Sequence, residues 1–323
     1  MPDARILLPP TAVGPDEFLA AAIAEAALGG AAAGVRRFEG SARHFVFDVQ
    51  LTDGRRAVVR LGEPEHRSAI RDAALWSDRL KPLGVPLPKI LARDLTSEFP
   101  SLILERLEGE PLLRLVERLK PPHLGLIAGS LAQMQHKVAT LESAGRYGWA
   151  NAADAAPHAR WSDALSQDLA EARGAIQAAG LMDQTLVDMV ERRLARQAAV
   201  LDAVPALAFL AEPATRDAIV TEAGRFSGLV DVDQLGWGDP RIAIARTLFD
   251  LLDAEKPTGF ADAWLALTGA NADRSFWLYV AIAGIQVMAD YGAGGRQFRI
   301  GDRDRLDRLM THILARADRP DRL

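Results

Sequence analysis

Glu212, Asp217, Asp231 and Asp233 crowd into one stretch of sequence, FLAEPATRDAIVTEAGRFSGLVDVDQLGWGDP, Phe209 to Pro240. Glu212 and Asp217 lie five positions apart across a proline-containing segment that reads as loop. Asp231 and Asp233 follow an apolar run, at the end of a predicted strand, where loops carry chemistry. Carboxylates converging from two loops suit Mg²⁺, a hard cation bound through oxygen, often together with substrate phosphates. Acids in loops are also common as plain solvated residues. Residue type alone leaves both readings open, and spacing has to decide between them.

The elements that must hold these acids are legible in the hydrophobic pattern. Asp16 to Leu28 reads as a helix that ends at Gly29-Gly30. His44 to Leu51 and Arg56 to Leu61 read as two strands joined through Asp53-Gly54, a strong hairpin signal. His66 to Leu80 has helical spacing, and Lys89 to Ala92 and Leu102 to Leu107 read as two further strands. A hinge is expected at Glu105 to Gly109. Beyond it the pattern predicts helices over Leu124 to Leu141, Trp161 to Ala179 and Asp183 to Leu201. A short β-rich island follows at Ala206 to Leu210, Ala218 to Thr221 and Phe226 to Val230. Helices resume at Ile242 to Leu252, Ala261 to Leu267, Ser275 to Ala289 and Arg303 to Ala315.

Composition narrows the function. The 323 residues carry 38 basic and 43 acidic side chains, a net charge of −5, which argues against a general nucleic-acid binder. Aromatic residues make up 6%, too few for base-stacking platforms. There is no cysteine, so disulfides, thiolate metal sites and cysteine nucleophiles are excluded. The apolar run WLYVAIAGIQVM, Trp277 to Met288, is shorter than the roughly 20 residues a bilayer requires, and it reads as a buried helix. The start, MPDARILLPP, has no basic region followed by an apolar run, so a cytoplasmic protein with no membrane partner is expected.

Spacing shifts the reading of the acids toward the metal-binding one. A kinase catalytic loop sets its base and a metal-binding residue five positions apart, with a second metal-binding Asp after a hairpin. Glu212, Asp217 and Asp231 occupy that pattern. The segment resembles the catalytic core of the aminoglycoside phosphotransferase and choline kinase superfamily. Its most specific part is GRFSGLVDVDQLGWGDPRIAIART, Gly224 to Thr247, similar to the family's strand, metal-binding Asp and Gly-Asp-Pro leading into a helix. Other parts follow in order: the turn Gly40-Ser41-Ala42-Arg43, Arg60 in VVRL, Asp72, the hinge LILERLEGEPL, and Gln135-His136 in the long helix.

The resemblance implies an α+β, bilobal protein-kinase-like fold. Residues 1–108 would form a small antiparallel β-rich nucleotide-binding lobe with the hinge. Residues 109–323 would form a larger, mainly helical lobe with the catalytic loop, metal site and acceptor pocket. It also implies an ATP- and Mg²⁺-dependent transfer to a hydroxyl of a small molecule, such as an aminoglycoside, an amino-alcohol or a sugar-like acceptor. Gly40, Ser41, Arg43, Arg60, Asp72 and the hinge residues Glu105 and Leu107 would serve the nucleotide. Asp217 and Asp231 would hold the metal, and Glu212 would orient the acceptor and take its proton. Asp233, Gln234, Trp237, Trp161, Asp290 and Tyr291 are candidates for the acceptor pocket. Trp161, Trp264 and Trp277 read equally as core residues. His136 is expected in the core, and Asp239 is expected to cap the helix after it and brace the loop.

The sequence departs from the family at informative places. Leu210, Ala211 and Glu212 stand where the family reads His-Gly-Asp, and Asp217 stands in place of Asn. Asp72 is shorter than the usual Glu, and Arg60 is a planar fork rather than a point charge. These changes admit a second reading: a pseudokinase that binds nucleotide or a small ligand with little or no transfer.

Overall fold

The computed structural model describes residues 14–38, 44–152, 155–212, 214–292, 298–299 and 301–319. The first helix, α1 (Glu17–Leu28), is capped by Asp16, whose Oδ1 accepts from Leu19 N at 2.8 Å. Gly29 ends it with φ at 67°. Strands β1 (Ala32–Arg37), β2 (Phe45–Leu51) and β3 (Arg56–Leu61) follow. Helix α2 (Arg67–Leu80) separates them from β4 (Ile90–Asp94) and β5 (Ser101–Glu105).

These strands form one antiparallel sheet in the order β1-β2-β3-β5-β4. The Asp53-Gly54 turn joins β2 to β3 as the sequence predicts. Gly54 takes φ 86°, and Arg55 N donates to Asp53 Oδ1 at 2.9 Å. Alternate residues Phe47, Val49 and Leu51 face Ala57, Val59 and Leu61, and Ala20 and Ala24 of α1 close this small core.

The chain divides into two compact units, Met1–Arg71 with Lys89–Arg106, and Asp72–Pro88 with Leu107–Leu323. The greater part of α2 therefore packs with the second unit, because Trp76 and Leu80 belong to its core.

In that second unit the order is β6 (Glu110–Pro111), α3 (Leu112–Leu115), α4 (Pro121–Val138), β7 (Gly148–Ala150), α5 (Trp161–Ala179) and α6 (Thr185–Leu201). The expected β island follows: β8 (Leu207–Leu210), the single turn α7 (Ala214–Asp217), β9 (Ala218–Val220) and β10 (Phe226–Leu229). Then come β11 (Leu235–Gly238), α8 (Arg241–Asp253), α9 (Gly259–Leu267), α10 (Arg274–Gly292) and α11 (Asp302–Asp318).

The island is not one sheet. β9 sits between β10 and β6, whereas β8 pairs with β11, which also pairs with β7. The run Trp277 to Met288 lies within α10, where Leu278, Tyr279, Val280, Ala281, Ile282 and Ile285 have no exposed surface. No helix of the described residues is long and apolar enough to cross a membrane.

Candidate functional site

The acids come together through the two short sheets of the second unit. β8 ends at Leu210, Glu212 follows after Ala211, and α7 brings the chain round to Asp217. The β9–β10 hairpin then returns it to Asp231. Val230 N donates to the Asp217 carbonyl at 2.9 Å, which keeps the two metal-ligand candidates adjacent. Leu229 N is held by Pro86 O at 2.9 Å. Asp231 has φ 61°, a left-handed conformation that a residue with a Cβ seldom adopts and that clusters at functional sites.

Glu212, Asp217, Asp231 and Gln234 line one cavity, walled by apolar side chains that include Leu131 and Trp264. Burial pushes the Asp217 carboxyl well above the usual carboxylate range. Asp231 and Glu212 push it further, Arg216 opposes them, and Asp233 adds to the rise. A buried carboxyl among like charges gains from a bound cation. The hard oxygen donors at this place therefore fit Mg²⁺.

The loop is gripped from behind by two helices. Gln135 of α4 donates its Nε2 to Ala208 O at 3.0 Å and accepts from Leu210 N at 3.2 Å. From α8, Arg246 Nη1 donates to Ala211 O at 2.8 Å, and Thr247 Oγ1 accepts from Ala214 N at 3.0 Å. Asp250 of the same helix accepts from Thr215 Oγ1 and Arg216 Nη2, both at 2.5 Å. Sequence reasoning named Gln135 only as part of the long helix, and it did not single out Arg246, Thr247 or Asp250. For Gln135 a signal existed, an amide on the apolar face of a helix. For the α8 residues there was none.

His136 is exposed, contrary to the expectation that it lies in the core. The buried face of α4 runs through Leu131, Met134, Gln135 and Val138, and position 136 falls on the opposite side. Asp239 is the expected brace. It accepts from Arg241 N at 3.0 Å and from the Tyr279 hydroxyl at 3.1 Å.

The remaining candidates divide. Arg60 is buried on β3, opposite Leu102 of β5 and Val46 of β2. Asp72 is buried on α2 and belongs to the second unit. Glu105 ends β5, its carboxylate accepting from Lys89 N at 3.2 Å, and Leu107 lies just beyond. Gly40, Ser41 and Arg43 lie outside the described residues.

Among the acceptor candidates, Asp233 and Gln234 are half-buried beside Asp231, and exposed Asp290 acts electrostatically on Arg216. Trp161 does not line a pocket: it has 0% exposure, and its Nε1 donates to the Tyr279 hydroxyl at 3.0 Å. Trp237 packs in the core with its ring 6.0 Å from that of Trp76. Tyr291 is largely buried, with its hydroxyl accepting from Arg305 at 3.3 Å.

A family model described as the phosphotransferase enzyme family matches residues 34–278. The chain belongs to this family. The matched phosphotransferase region includes the whole acid loop and α8. No curated protein matches the sequence itself.

Solved phosphotransferase structures share the fold at low identity. A thermostable mutant of aminoglycoside phosphotransferase APH(4)-Ia, in a ternary complex with ADP and hygromycin B, superposes with a TM-score of 0.67 at 14% identity. The match covers 91% of this chain and 97% of that one. A putative fructosamine-3-kinase from Thermobifida fusca gives a TM-score of 0.59 at 18% identity, over 93% and 98% of the two chains. The GDP complex of an aminoglycoside 2'-phosphotransferase-IIIa mutant gives 0.66 at 13% identity, over 94% and 99%. These likenesses establish a protein-kinase-like fold.

Proposed function

We propose that this family member transfers the γ-phosphoryl group of ATP to a hydroxyl of a small molecule, with Mg²⁺ as cofactor. The observation that carries the reading is the meeting of Glu212, Asp217 and Asp231 on one cavity, behind a loop pinned by α4 and α8. When bound, Mg²⁺ would offset the charge of the phosphate oxygens. Asp217 and Asp231 would hold it. Arg60 would offset further phosphate charge, and the Glu105 to Leu107 backbone would receive the adenine. Glu212 would orient the acceptor hydroxyl and take its proton as the oxygen–phosphorus bond forms and the bond to the bridging oxygen of ADP breaks. Asp233, Gln234 and Asp290 would face the acceptor. The two carboxylates and the Gln234 amide suit an amine-bearing or sugar-like molecule. The names of the similar structures, with their nucleotide and hygromycin B complexes, point the same way.

The changed loop sequence, Leu210 to Glu212, favours a second reading in which nucleotide binds without efficient transfer. Incubation with γ-labelled ATP and a panel of aminoglycosides, amino-alcohols and sugars, with Mg²⁺ or with chelator, separates the two. The proposal expects Mg²⁺-dependent label on at least one acceptor. Mg²⁺-dependent nucleotide binding with no labelled acceptor would support the second reading.

A further inference from the structure

Arg246 sits where it can set the direction of Glu212 without touching a substrate. Its Nη1 donates to the carbonyl of Ala211, the peptide immediately before Glu212, at 2.8 Å. Because that peptide is planar, holding its oxygen fixes the plane from which the Glu212 side chain departs. The guanidinium is itself held from two further elements. It lies 4.4 Å over the ring of Trp149 on β7, and its Nη2 is 3.7 Å from Asp168 Oδ2 on α5. Asp168 in turn accepts from Trp149 Nε1 at 2.6 Å and from Gln286 Nε2 of α10 at 3.1 Å. The carboxylate is thus locked by three elements before it meets the arginine.

This arrangement is a poor stability device. The Arg246 and Asp168 side chains are 13% and 9% exposed, so both are largely desolvated. Their separation of 3.7 Å leaves no direct hydrogen bond, and Arg246 Nε is buried without an acceptor. A buried ion pair with an unmatched donor is often no more stable than apolar side chains of the same volume. Its one well-formed hydrogen bond to the loop goes to the residue beside the proposed base. Leu210, two positions before Glu212, has no polar side chain with which to brace the loop locally.

We propose that Arg246 is a positioning residue for Glu212 and that Asp168 fixes the place of its guanidinium. The effect on turnover rests on the phosphotransfer reading above; the effect on the loop does not.

The test compares wild type, Arg246→Met and Asp168→Asn by amide hydrogen exchange, thermal melting and single-turnover transfer. Arg246→Met is expected to speed exchange across residues 208–217 by about 10-fold, the scale of one lost hydrogen bond to a charged group. Its melting temperature should also fall, because Asp168 is left buried without its counter-charge, so the diagnostic reading is the excess exchange over residues 208–217. Single-turnover transfer should fall by roughly 10- to 100-fold with nucleotide affinity unchanged, as expected for a displaced catalytic group. Asp168→Asn keeps a side-chain oxygen for Trp149 and removes the counter-charge, together with the oxygen that accepts from Gln286 Nε2. It should change exchange and transfer in the same direction by less, which keeps the test open should Arg246→Met fail to fold.

Unchanged exchange over 208–217 in both variants would overturn the proposal. So would faster exchange spread evenly over the whole chain with no excess at 208–217, the mark of a purely structural pair. Should wild type label no acceptor, the phosphotransfer reading fails, and local exchange alone decides whether Arg246 positions the loop.

Discussion

At Asp217, burial, Asp231 and Glu212 oppose ionisation, and Arg216 offsets them only in part. A carboxyl whose folded-state pKa lies above its unfolded value stabilises the folded chain at low pH. That contribution is lost as pH rises through the folded-state pKa. The raised Asp217 pKa therefore leaves the ligand-free protein less stable at neutral pH than at low pH. Asp217→Asn is expected to raise the melting temperature clearly at pH 7 and much less near pH 4, read by thermal denaturation without Mg²⁺. It also removes a negative charge beside the proposed phosphate site, so it should preserve or improve Mg²⁺-dependent ATP binding in calorimetry. Asp231→Ala, by contrast, should abolish the Mg²⁺ dependence. The grouping of these acids on one cavity was legible in the sequence, because it follows from their spacing and side-chain type. Arg246 was not, and Gln135 was legible only as an amide on the apolar face of a helix. Their partners are backbone groups, and a carbonyl such as Ala208 O, 73 residues from Gln135, leaves no trace of its need in residue identity.

The two short sheets show the same limit among elements. The β2–β3 hairpin was plain from alternation and an Asp-Gly turn. β11, LGWG, was not, because it is four residues long and half of them are glycine. Their reason is steric: a Cβ at Gly236 would overlap the rings of Phe209 and Trp149, and one at Gly238 would overlap Trp161. The bare backbone lets Phe209 and Trp149 meet edge to face, with ring centres 5.4 Å apart. That packing sets β8 against β11 and β7 and so aims the acid loop. Gly236→Ala should cost about 1–3 kcal/mol, the usual size for forcing volume into a packed core. Thermal melts would show it as a drop of several degrees. β1, AAGVRR, escaped notice for another reason: it is short and mostly exposed, with little apolar alternation to mark it.

Across the whole molecule, element order was the most legible feature. A β-rich first hundred residues and a mainly helical remainder follow from hydrophobic period, and the family match spans both parts. The unit boundary within α2 was not legible, because Trp76 and Leu80 continue one amphipathic pattern while serving the larger core. Ligand binding offers a check at this scale. ATP with Mg²⁺ at about 100 times its Kd should stabilise the folded chain by about 2.7 kcal/mol, and ATP with chelator by distinctly less. The central claim is that the acid loop performs transfer, and one assay addresses it directly. Single-turnover transfer of label from ATP to the identified acceptor would be measured for wild type and Glu212→Gln. The account predicts a fall of at least about 100-fold in Glu212→Gln, with nucleotide affinity nearly unchanged. Transfer that survives Glu212→Gln at the wild-type rate would remove Glu212 from the mechanism and contradict the assignment of the loop.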